Sequence, residues 1–159
     1  HLSLRRQRQM CIRDRLSVYE NVALAVQPRL SNAINKLAQE VETALTRVGL
    51  QAYSERTAGD MAYGHQRLLE VAMGLGQSPQ LLILDEPTQG LSDAEVDDFI
   101  TLIKEVAETT TVLLIEHNIN VVMALADRIT VMNFGEIIAE GSPEEIRQND
   151  AVQTAYLGG

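Results

Sequence analysis

The 159-residue sequence has no tryptophan, only one cysteine and no long uninterrupted apolar run. A single cysteine excludes an intrachain disulfide and a thiolate metal site, and it favours a reducing compartment. No segment approaches the roughly 20 apolar residues that a membrane-spanning helix needs, so any role at a membrane is expected to depend on another protein. The start of the chain is basic but lacks the apolar core of a secretory signal.

Basic residues are scarce as well. The chain has 13 Lys and Arg against 22 Asp and Glu, which gives a formal net charge of −9. This balance argues against a surface that binds a phosphate backbone, so nucleic acid is not expected as a partner, and it disfavours direct attachment to anionic lipid. The apolar fraction of 45% is ordinary for a folded protein, and together with the length it predicts one domain with a core.

The first 15 residues differ in composition from the rest of the chain. A basic arm is one interpretation of this stretch. We favour the other, a non-native or damaged end, because residues 6–15 resemble translated sequencing-adapter sequence. On that interpretation Cys11 has no functional meaning. Five of the chain's 13 basic residues lie here, namely Arg5, Arg6, Arg8, Arg13 and Arg15.

A helical region is expected to follow. Ser17 and Glu20 form a Ser-x-x-Glu capping box, which predicts the start of a short helix. This helix is expected to end near Val26, because Pro28 then interrupts it.

A second helix is marked more clearly. Ser31 is its predicted N-cap and Gly49 its C-terminal stop. Apolar residues recur between them at helical spacing, so the helix is expected to pack against its neighbours. We interpret nearly every position in residues 17–48 as structural. The recurring apolar positions are Ile34, Leu37, Ala38, Val41, Leu45 and Val48.

A glycine-containing loop at residues 58–67 leads into a largely buried helix that is expected to start near Gly64. A helix N-terminus presents free backbone N–H groups and the positive end of the helix dipole, and a glycine there lets a phosphate approach closely. The same sequence is also typical of an ordinary glycine turn before a helix, and taken alone that is the better interpretation.

The stretch at residues 81–88 joins an apolar strand to two acids. Four apolar residues run directly into Asp85 and Glu86, which predicts a central parallel strand covered on both faces. In open α/β sheets ligands bind outside the carboxyl ends of the strands, so both carboxylates are expected at a binding crevice. Such a pair suits metal-assisted phosphate chemistry, with one acid supporting Mg²⁺ and the other orienting or deprotonating a water. On this stretch alone, two merely solvated acids are an equally good interpretation.

The rest of the chain continues an α/β pattern. Ser92 begins a capping box for an amphipathic helix, and a strand at residues 111–115 ends in Glu116, His117 and Asn118. Two strands therefore bring polar groups to one edge of the sheet. The remaining predicted elements are a helix at 121–126, a strand at 128–132, a tight turn at Gly135 into a fourth strand, and a final helix capped by Ser142.

The order of these motifs resembles the second half of the nucleotide-binding domain of ABC transporters. The resemblance runs from residue 16 to the C-terminus, and residues 58–66 resemble the signature loop of branched-chain amino acid importer ATPases. Residues 116–118, 126–129 and 139–146 continue it. It implies an α/β fold, the C-terminal part of a P-loop (RecA-like) nucleotide-binding domain with its helical subdomain.

On this resemblance the chain divides into three parts. Residues 1–15 are the non-native or damaged end, and residues 16–76 are the helical subdomain with the signature loop. Residues 77–159 are the C-terminal half of the α/β ATPase core.

The resemblance also implies roles for single residues. Asp85 matches the Walker B aspartate that supports Mg²⁺, and Glu86 matches the general base for the attacking water. His117 matches the switch histidine, which would hydrogen-bond the γ-phosphate, and residues 89–92 fall at a loop that contacts the partner subunit. The signature loop, which meets ATP bound by the opposite subunit, corresponds to Met61, Ala62, Tyr63, Gly64 and His65.

This sequence departs from the family pattern at three of these positions. Tyr63 stands where the common signature has glycine, and Ala62 stands where it has serine, which removes a hydroxyl that could reach the phosphate. Ser92 replaces the usual aspartate of the dimer loop.

The implied function is that of an ATP-hydrolysing subunit of an ABC importer, for branched-chain amino acids, with ATP and Mg²⁺ as cofactors. Its partners would be a second ATPase subunit, identical or different, membrane permease subunits and, indirectly, a periplasmic binding protein. It would be peripheral, at the cytoplasmic face of the inner membrane. The sequence does not name the transported solute.

A phosphate-binding loop of the form Gly-x-x-x-x-Gly-Lys-Ser/Thr does not occur in these residues. We therefore expect the C-terminal part of a longer protein, inactive alone, with apolar surface exposed at an orphaned sheet edge. Two alternatives stay open. One is an ATPase of the lipopolysaccharide-export type, and the other is a truncated, non-catalytic binding protein.

Overall fold

The computed structural model describes residues 14–30 and 34–157. The predicted cap Ser31 and residues 1–13 of the predicted damaged end lie outside this part. Short 3-10 helices occur at Ile34–Lys36, Gln51–Tyr53 and Ala58–Asp60, and a π-helical turn at Gln153–Leu157. The helices and strands are α1 (Val18–Leu30), α2 (Leu37–Arg47), α3 (Tyr63–Gly76), β1 (Leu81–Asp85), α4 (Asp93–Ala107), β2 (Thr111–Ile115), α5 (Ile119–Leu125), β3 (Ile129–Asn133), β4 (Glu136–Gly141), α6 (Pro143–Arg147) and α7 (Asp150–Val152).

Helix α1 begins at the predicted capping box. The Ser17 N–H donates to Glu20 Oε2 at 2.8 Å, and the Glu20 N–H donates to Ser17 Oγ at 3.1 Å. The prediction that Pro28 ends this helix is wrong, because α1 continues to Leu30 with Pro28 inside its last turn. A proline there removes one N–H donor only, and contacts beyond it hold the turn: Arg29 Nε donates to the Gly76 carbonyl at 3.3 Å.

Helices α1, α2 and α3 pack against one another around one apolar core. Val41 and Leu45 of α2 are buried there, as their spacing predicted. The helix begins at Leu37 and ends where predicted, because Gly49 takes a left-handed conformation with φ of 72° just after it.

Strands β1 and β2 form a parallel pair in which Leu81 is opposite Thr111 and Asp85 is opposite Ile115. One face of this pair joins the core through Leu82, which is 7% exposed. The prediction of a strand covered on both faces is wrong for the part of the chain that the structure describes. Alternate residues point to opposite faces, and the other face is open, so the exposed apolar surface lies on a sheet face rather than on an edge. Its exposed residues are Leu81, Ile83, Leu113 and Ile115, each about half exposed at 49–57%.

Strands β3 and β4 form a separate antiparallel hairpin. The predicted tight turn is present, with Phe134 at φ of 46° and Gly135 at φ of 85°. The predicted cap of the next helix is confirmed as well, because Ser142 and Glu145 exchange both hydrogen bonds of a capping box. Across residues 14–30 and 34–157, no helix combines the length and apolar character needed to cross a bilayer.

Candidate functional site

The carboxyl ends of β1 and β2 lie side by side, so the residues that follow them meet at one edge. The backbone N–H of Glu86 donates to the carbonyl of Ile115 at 2.8 Å. Beyond it, His117 Nδ1 lies 3.6 Å from Glu86 Oε1. The side chains of Glu86 and His117 are 46% and 65% exposed, so both can reach a ligand in solvent. The structure thus brings together two of the residues that the resemblance singled out.

Glu86 leaves the strand through an unusual backbone conformation. Its φ of 46° lies in the left-handed region, which a non-glycine residue occupies at a strain of about 1–3 kcal/mol. Two backbone hydrogen bonds hold it there: its N–H donates to Ile115, and its carbonyl accepts from the Gln89 N–H at 3.3 Å. The sharp turn directs the chain away from the strand and leaves the carboxylate at the edge of the sheet.

A buried carboxylate, Glu116, lies beneath this exposed pair. Its side chain has 0% exposure, and it accepts hydrogen bonds from the Thr88 N–H at 3.1 Å and from the Thr88 hydroxyl. It also accepts from the N–H groups of His117 at 2.7 Å and Asn118 at 3.2 Å. Glu116 therefore joins the loop after β1 to the loop after β2.

These hydrogen bonds decide the charge of Glu116. Burial alone would raise its pKa, but the donors from Thr88, Asn118 and His117 outweigh burial and hold the pKa of Glu116 below its ordinary value. The buried carboxylate of Glu116 is therefore ionised, and both of its oxygens accept hydrogen bonds. Sequence reasoning noted Glu116 only as a polar residue at the end of a strand; an acid directly after a buried run was the signal available.

Asp85 ends β1 and is exposed. Among the residues that the structure describes, no group of three or more His, Cys, Asp or Glu side chains is placed to hold a metal ion. Sites for Mg²⁺ in phosphate chemistry commonly use one or two carboxylates together with phosphate oxygens and water. Asp85 fits that kind of site as one ligand, and the remaining ligands would come from the substrate and the solvent.

The five signature-like residues form a second surface at the N-terminus of α3. Met61 is only 6% exposed, and its backbone N–H and carbonyl are already bonded to the Ala58 carbonyl and to Gln66 Nε2, so it faces the core rather than a ligand, contrary to what the resemblance implied. Gln66 Nε2 fixes the preceding loop by donating to the carbonyls of Ala58 and Met61 at 3.2 and 3.1 Å. Ala62 is the N-cap, and no side chain of the described residues caps it, which leaves the positive end of the helix facing outward.

Aromatic residues support this surface from two sides. The Tyr63 hydroxyl accepts from Arg67 Nε at 3.1 Å, and the Arg67 guanidinium lies 5.0 Å from the centre of the Tyr63 ring. His65 is half-buried, with its ring centre 4.6 Å from that of Tyr53. These contacts restrict the rotamers of both side chains.

Two close contacts join α3 to the segment that follows β1, one to its loop and one to the first turn of α4, and each uses a glycine. The Tyr63 ring lies against Gly90, where an added Cβ would be 3.0 Å from Tyr63 Cε1. The Glu95 carboxylate lies against Gly64, where an added Cβ would overlap it. Glu95 could swing away from this position only by giving up the hydrogen bonds that its Oε2 accepts from the Ser92 N–H and hydroxyl at 2.8 and 2.7 Å. The surface at the start of α3 is therefore packed directly against the segment that follows β1 in the same chain.

Comparison with protein families gives two matches. The family model described as ABC transporter matches residues 2–89. The model described as branched-chain amino acid ATP-binding cassette transporter matches residues 136–159. The first match spans more than half of the chain and includes the signature-like loop, β1 and Glu86.

Two relatives are named as ATP-binding proteins of branched-chain amino acid transport. The chain is 43% identical, over 82% of its length and 52% of the relative's, to the high-affinity branched-chain amino acid transport ATP-binding protein LivG of Salmonella typhimurium. It is 46% identical, over 72% of its length and 46% of the relative's, to the similarly named BraF of Pseudomonas aeruginosa. The chain thus spans about half the length of these relatives.

Solved structures agree on the fold. An ATP-binding cassette of an ABC transporter in its ADP conformation superposes with a TM-score of 0.76 at 26% identity, covering 92% of this chain and 65% of that one. A nucleotide-free ATP-binding cassette superposes with a TM-score of 0.75 at 26% identity, covering 92% and 64%. The α/β nucleotide-binding fold expected from the motifs is confirmed.

Proposed function

This chain belongs to the ABC transporter family of ATP-binding proteins, and on that premise we propose that the intact subunit hydrolyses ATP to drive the import of branched-chain amino acids. The observation that carries the proposal is the pairing of Glu86 and His117, 3.6 Å apart and exposed at the shared end of two parallel strands. A carboxylate and an imidazole at such an edge suit a water and the phosphate that it attacks.

Each residue of the edge has a distinct task in this proposal. Glu86 orients the attacking water and accepts its proton, because its carboxylate is open to solvent at the end of the strand. His117 donates a hydrogen bond to the γ-phosphate and so senses its presence. Asp85 helps to hold Mg²⁺, which when bound neutralises charge on the phosphates.

The surface at the start of α3 is assigned to ATP held by the opposite subunit. The uncapped helix end at Ala62 favours a phosphate anion, whereas Gly64 beside it is buried against the Glu95 carboxylate. Tyr63 and His65 flank Gly64 in the chain, and Met61 shapes the preceding loop from within the core. Residues 89–92 are the proposed contact with the second ATPase subunit, which is identical to this one or different.

The remaining partners are proposed from the resemblance to the ABC transporter family. Membrane permease subunits are the proposed partners of the α1 and α2 region, and a periplasmic binding protein delivers the solute to them. The subunit itself is peripheral on the cytoplasmic face of the inner membrane. Its solute class rests on the identity to proteins named for branched-chain amino acid transport.

The test uses the intact subunit that contains this sequence, assembled with its permeases in lipid vesicles. We expect leucine uptake that depends on ATP, and we expect Glu86→Gln to bind ATP but to lower its hydrolysis by about 10²–10⁴-fold, the usual contribution of a general base. Uptake and hydrolysis are measured on the same vesicles. Glu105→Gln, an exposed acid of α4, is the matched control. Unchanged hydrolysis in Glu86→Gln would refute the assignment.

A further inference from the structure

We propose that Glu116 is a positioning residue for the ATPase site: it fixes the separation of the two loops that carry Glu86 and His117. The catalytic consequence rests on the function proposed above, whereas the clamp itself is a property of the fold. Glu116 touches neither the proposed water nor the phosphate, because its side chain is fully buried. It acts through the residues that it holds.

The geometry of the carboxylate explains why a glutamate is needed at this position. Oε1 accepts both hydrogen bonds from Thr88, which belongs to the loop after β1. Oε2 accepts from the N–H groups of His117 and Asn118, which belong to the loop after β2. Each oxygen thus accepts hydrogen bonds from one loop, and the fixed geometry of the carboxylate sets the distance between the two loops. A glutamine side chain has only one oxygen, so its NH₂ group would face the hydrogen-bond donors of one loop and could not accept from them.

The clamp acts beyond the strands, where the sheet no longer controls the chain. Pairing between β1 and β2 ends at Asp85 and Ile115, followed by the single hydrogen bond from the Glu86 N–H to Ile115. Glu86 then turns through a left-handed backbone conformation that requires external support. Thr88 is 6% exposed and lies two residues later, so its two bonds to Glu116 are positioned to supply that support.

The chain provides a matched control for this interaction. Thr130 and Glu140 form a similar pair on β3 and β4, with the hydroxyl donating to Glu140 Oε1 at 2.9 Å. The Glu140 side chain is 45% exposed, and the pair lies in the separate hairpin. It shares the chemistry of the Thr88–Glu116 pair but not its burial or its place beside the site.

The kinetic test compares Glu116→Gln, Thr88→Val, Thr88→Ser and Glu140→Gln in the intact, assembled subunit. We expect Glu116→Gln to lower kcat by at least about tenfold while KM for ATP stays within about threefold, because misplacement of Glu86 affects the transition state rather than ATP binding. Thr88→Val should lower kcat less, Thr88→Ser should restore it, and Glu140→Gln should match the wild type. A folded Glu116→Gln variant with unchanged kcat would overturn the proposal.

A second readout does not depend on ATP hydrolysis. In Glu116→Gln, amide hydrogen exchange should accelerate by about tenfold or more at residues 86–89 and 116–118 while β1 and β2 keep their protection. Should the wild type prove unable to hydrolyse ATP, the proposed function fails, and this measurement still decides the clamp. Equal exchange at both loops in the variant and the wild type overturns the clamp. If Glu116→Gln does not fold, Thr88→Val and Thr88→Ser decide by the same two readouts.

Discussion

The two surfaces assigned to ATP are held in place by different physical interactions. At the ends of β1 and β2, a buried charge organises the loops, since Glu116 accepts hydrogen bonds from Thr88, 28 positions earlier in the sequence, and from its neighbour His117. At the start of α3, close packing holds the surface in place, with the side chains of Glu95 and Tyr63 against Gly64 and Gly90. The first arrangement depends on protonation and on hydrogen-bond geometry. The second depends on the absence of a Cβ.

This contrast shows how a site assembled from separate elements keeps its geometry. Hydrogen bonds to a buried carboxylate are directional, so they suit the loops that carry Glu86 and His117. Steric contact needs no polar group, so it leaves the helix end at Ala62 free for an anion. We therefore expect substitutions in the two regions to fail in different ways.

The largest effect is expected for Gly64→Ala. The added Cβ would overlap the Glu95 carboxylate, and the clash either breaks the capping box at Ser92 or shifts α3, at about 1–3 kcal/mol of unfolding free energy. The fall in ATPase activity should exceed what the loss of stability alone explains, because the surface at the start of α3 moves relative to Glu86. Urea denaturation and hydrolysis assays on the intact subunit measure both.

The double variant Gly64→Ala, Glu95→Ala is the control for that steric account. Removing the carboxylate removes the clash, so the double variant should recover part of the stability lost by Gly64→Ala, and the two substitutions should not be additive. Strictly additive losses would mean that Gly64 is needed for another reason, such as direct contact with a phosphate.

An effect no larger than this, and one that depends on pH, is expected for Glu116→Gln. Its pKa is held low in the folded protein, so the ionised form stabilises the fold above the unfolded pKa of about 4.3, and this contribution is lost as pH falls through the folded pKa. Near pH 7 the variant should be about 1–3 kcal/mol less stable, the usual cost of unsatisfied buried donors.

Unfolding free energies of the wild type and Glu116→Gln at pH 7 and at lower pH check this sign. The difference between them should shrink as the solution is acidified below about pH 4.3. A constant difference would indicate that the charge of Glu116 is unimportant and that only its shape matters.

Much of this arrangement could be predicted from the sequence, because local signals dominate it. The acids at residues 85 and 86 directly follow an apolar run, and the Ser-x-x-Glu boxes at Ser17, Ser92 and Ser142 all form. Such signals involve neighbours in the chain. They do not depend on which other element packs nearby.

The parts that could not be predicted depend on contacts between distant residues. The last turn of α1 survives Pro28 because Arg29 reaches Gly76 and Glu40, 47 and 11 positions away. An apolar run alone does not show whether both faces of a strand are covered, and in β1 the face with Ile83 is open. The role of Glu116 depends on Thr88, which lies in a different loop.

The smallest effect is expected at Tyr63, where two substitutions separate the packing of the ring from the hydrogen bonds of its hydroxyl. Tyr63→Phe keeps the ring against Gly90 and loses only the hydrogen bonds from Arg67, which already pairs with Glu70 at 2.9 Å, so stability should change by less than about 0.5 kcal/mol. Tyr63→Ala removes the ring itself, and the loop at Gly90 then loses its support. Its unfolding free energy should fall further, by about 1 kcal/mol. Equal losses in the two variants would place the stabilisation in the hydroxyl rather than in the ring, and α3 would then be held by hydrogen bonding, as the strand ends are.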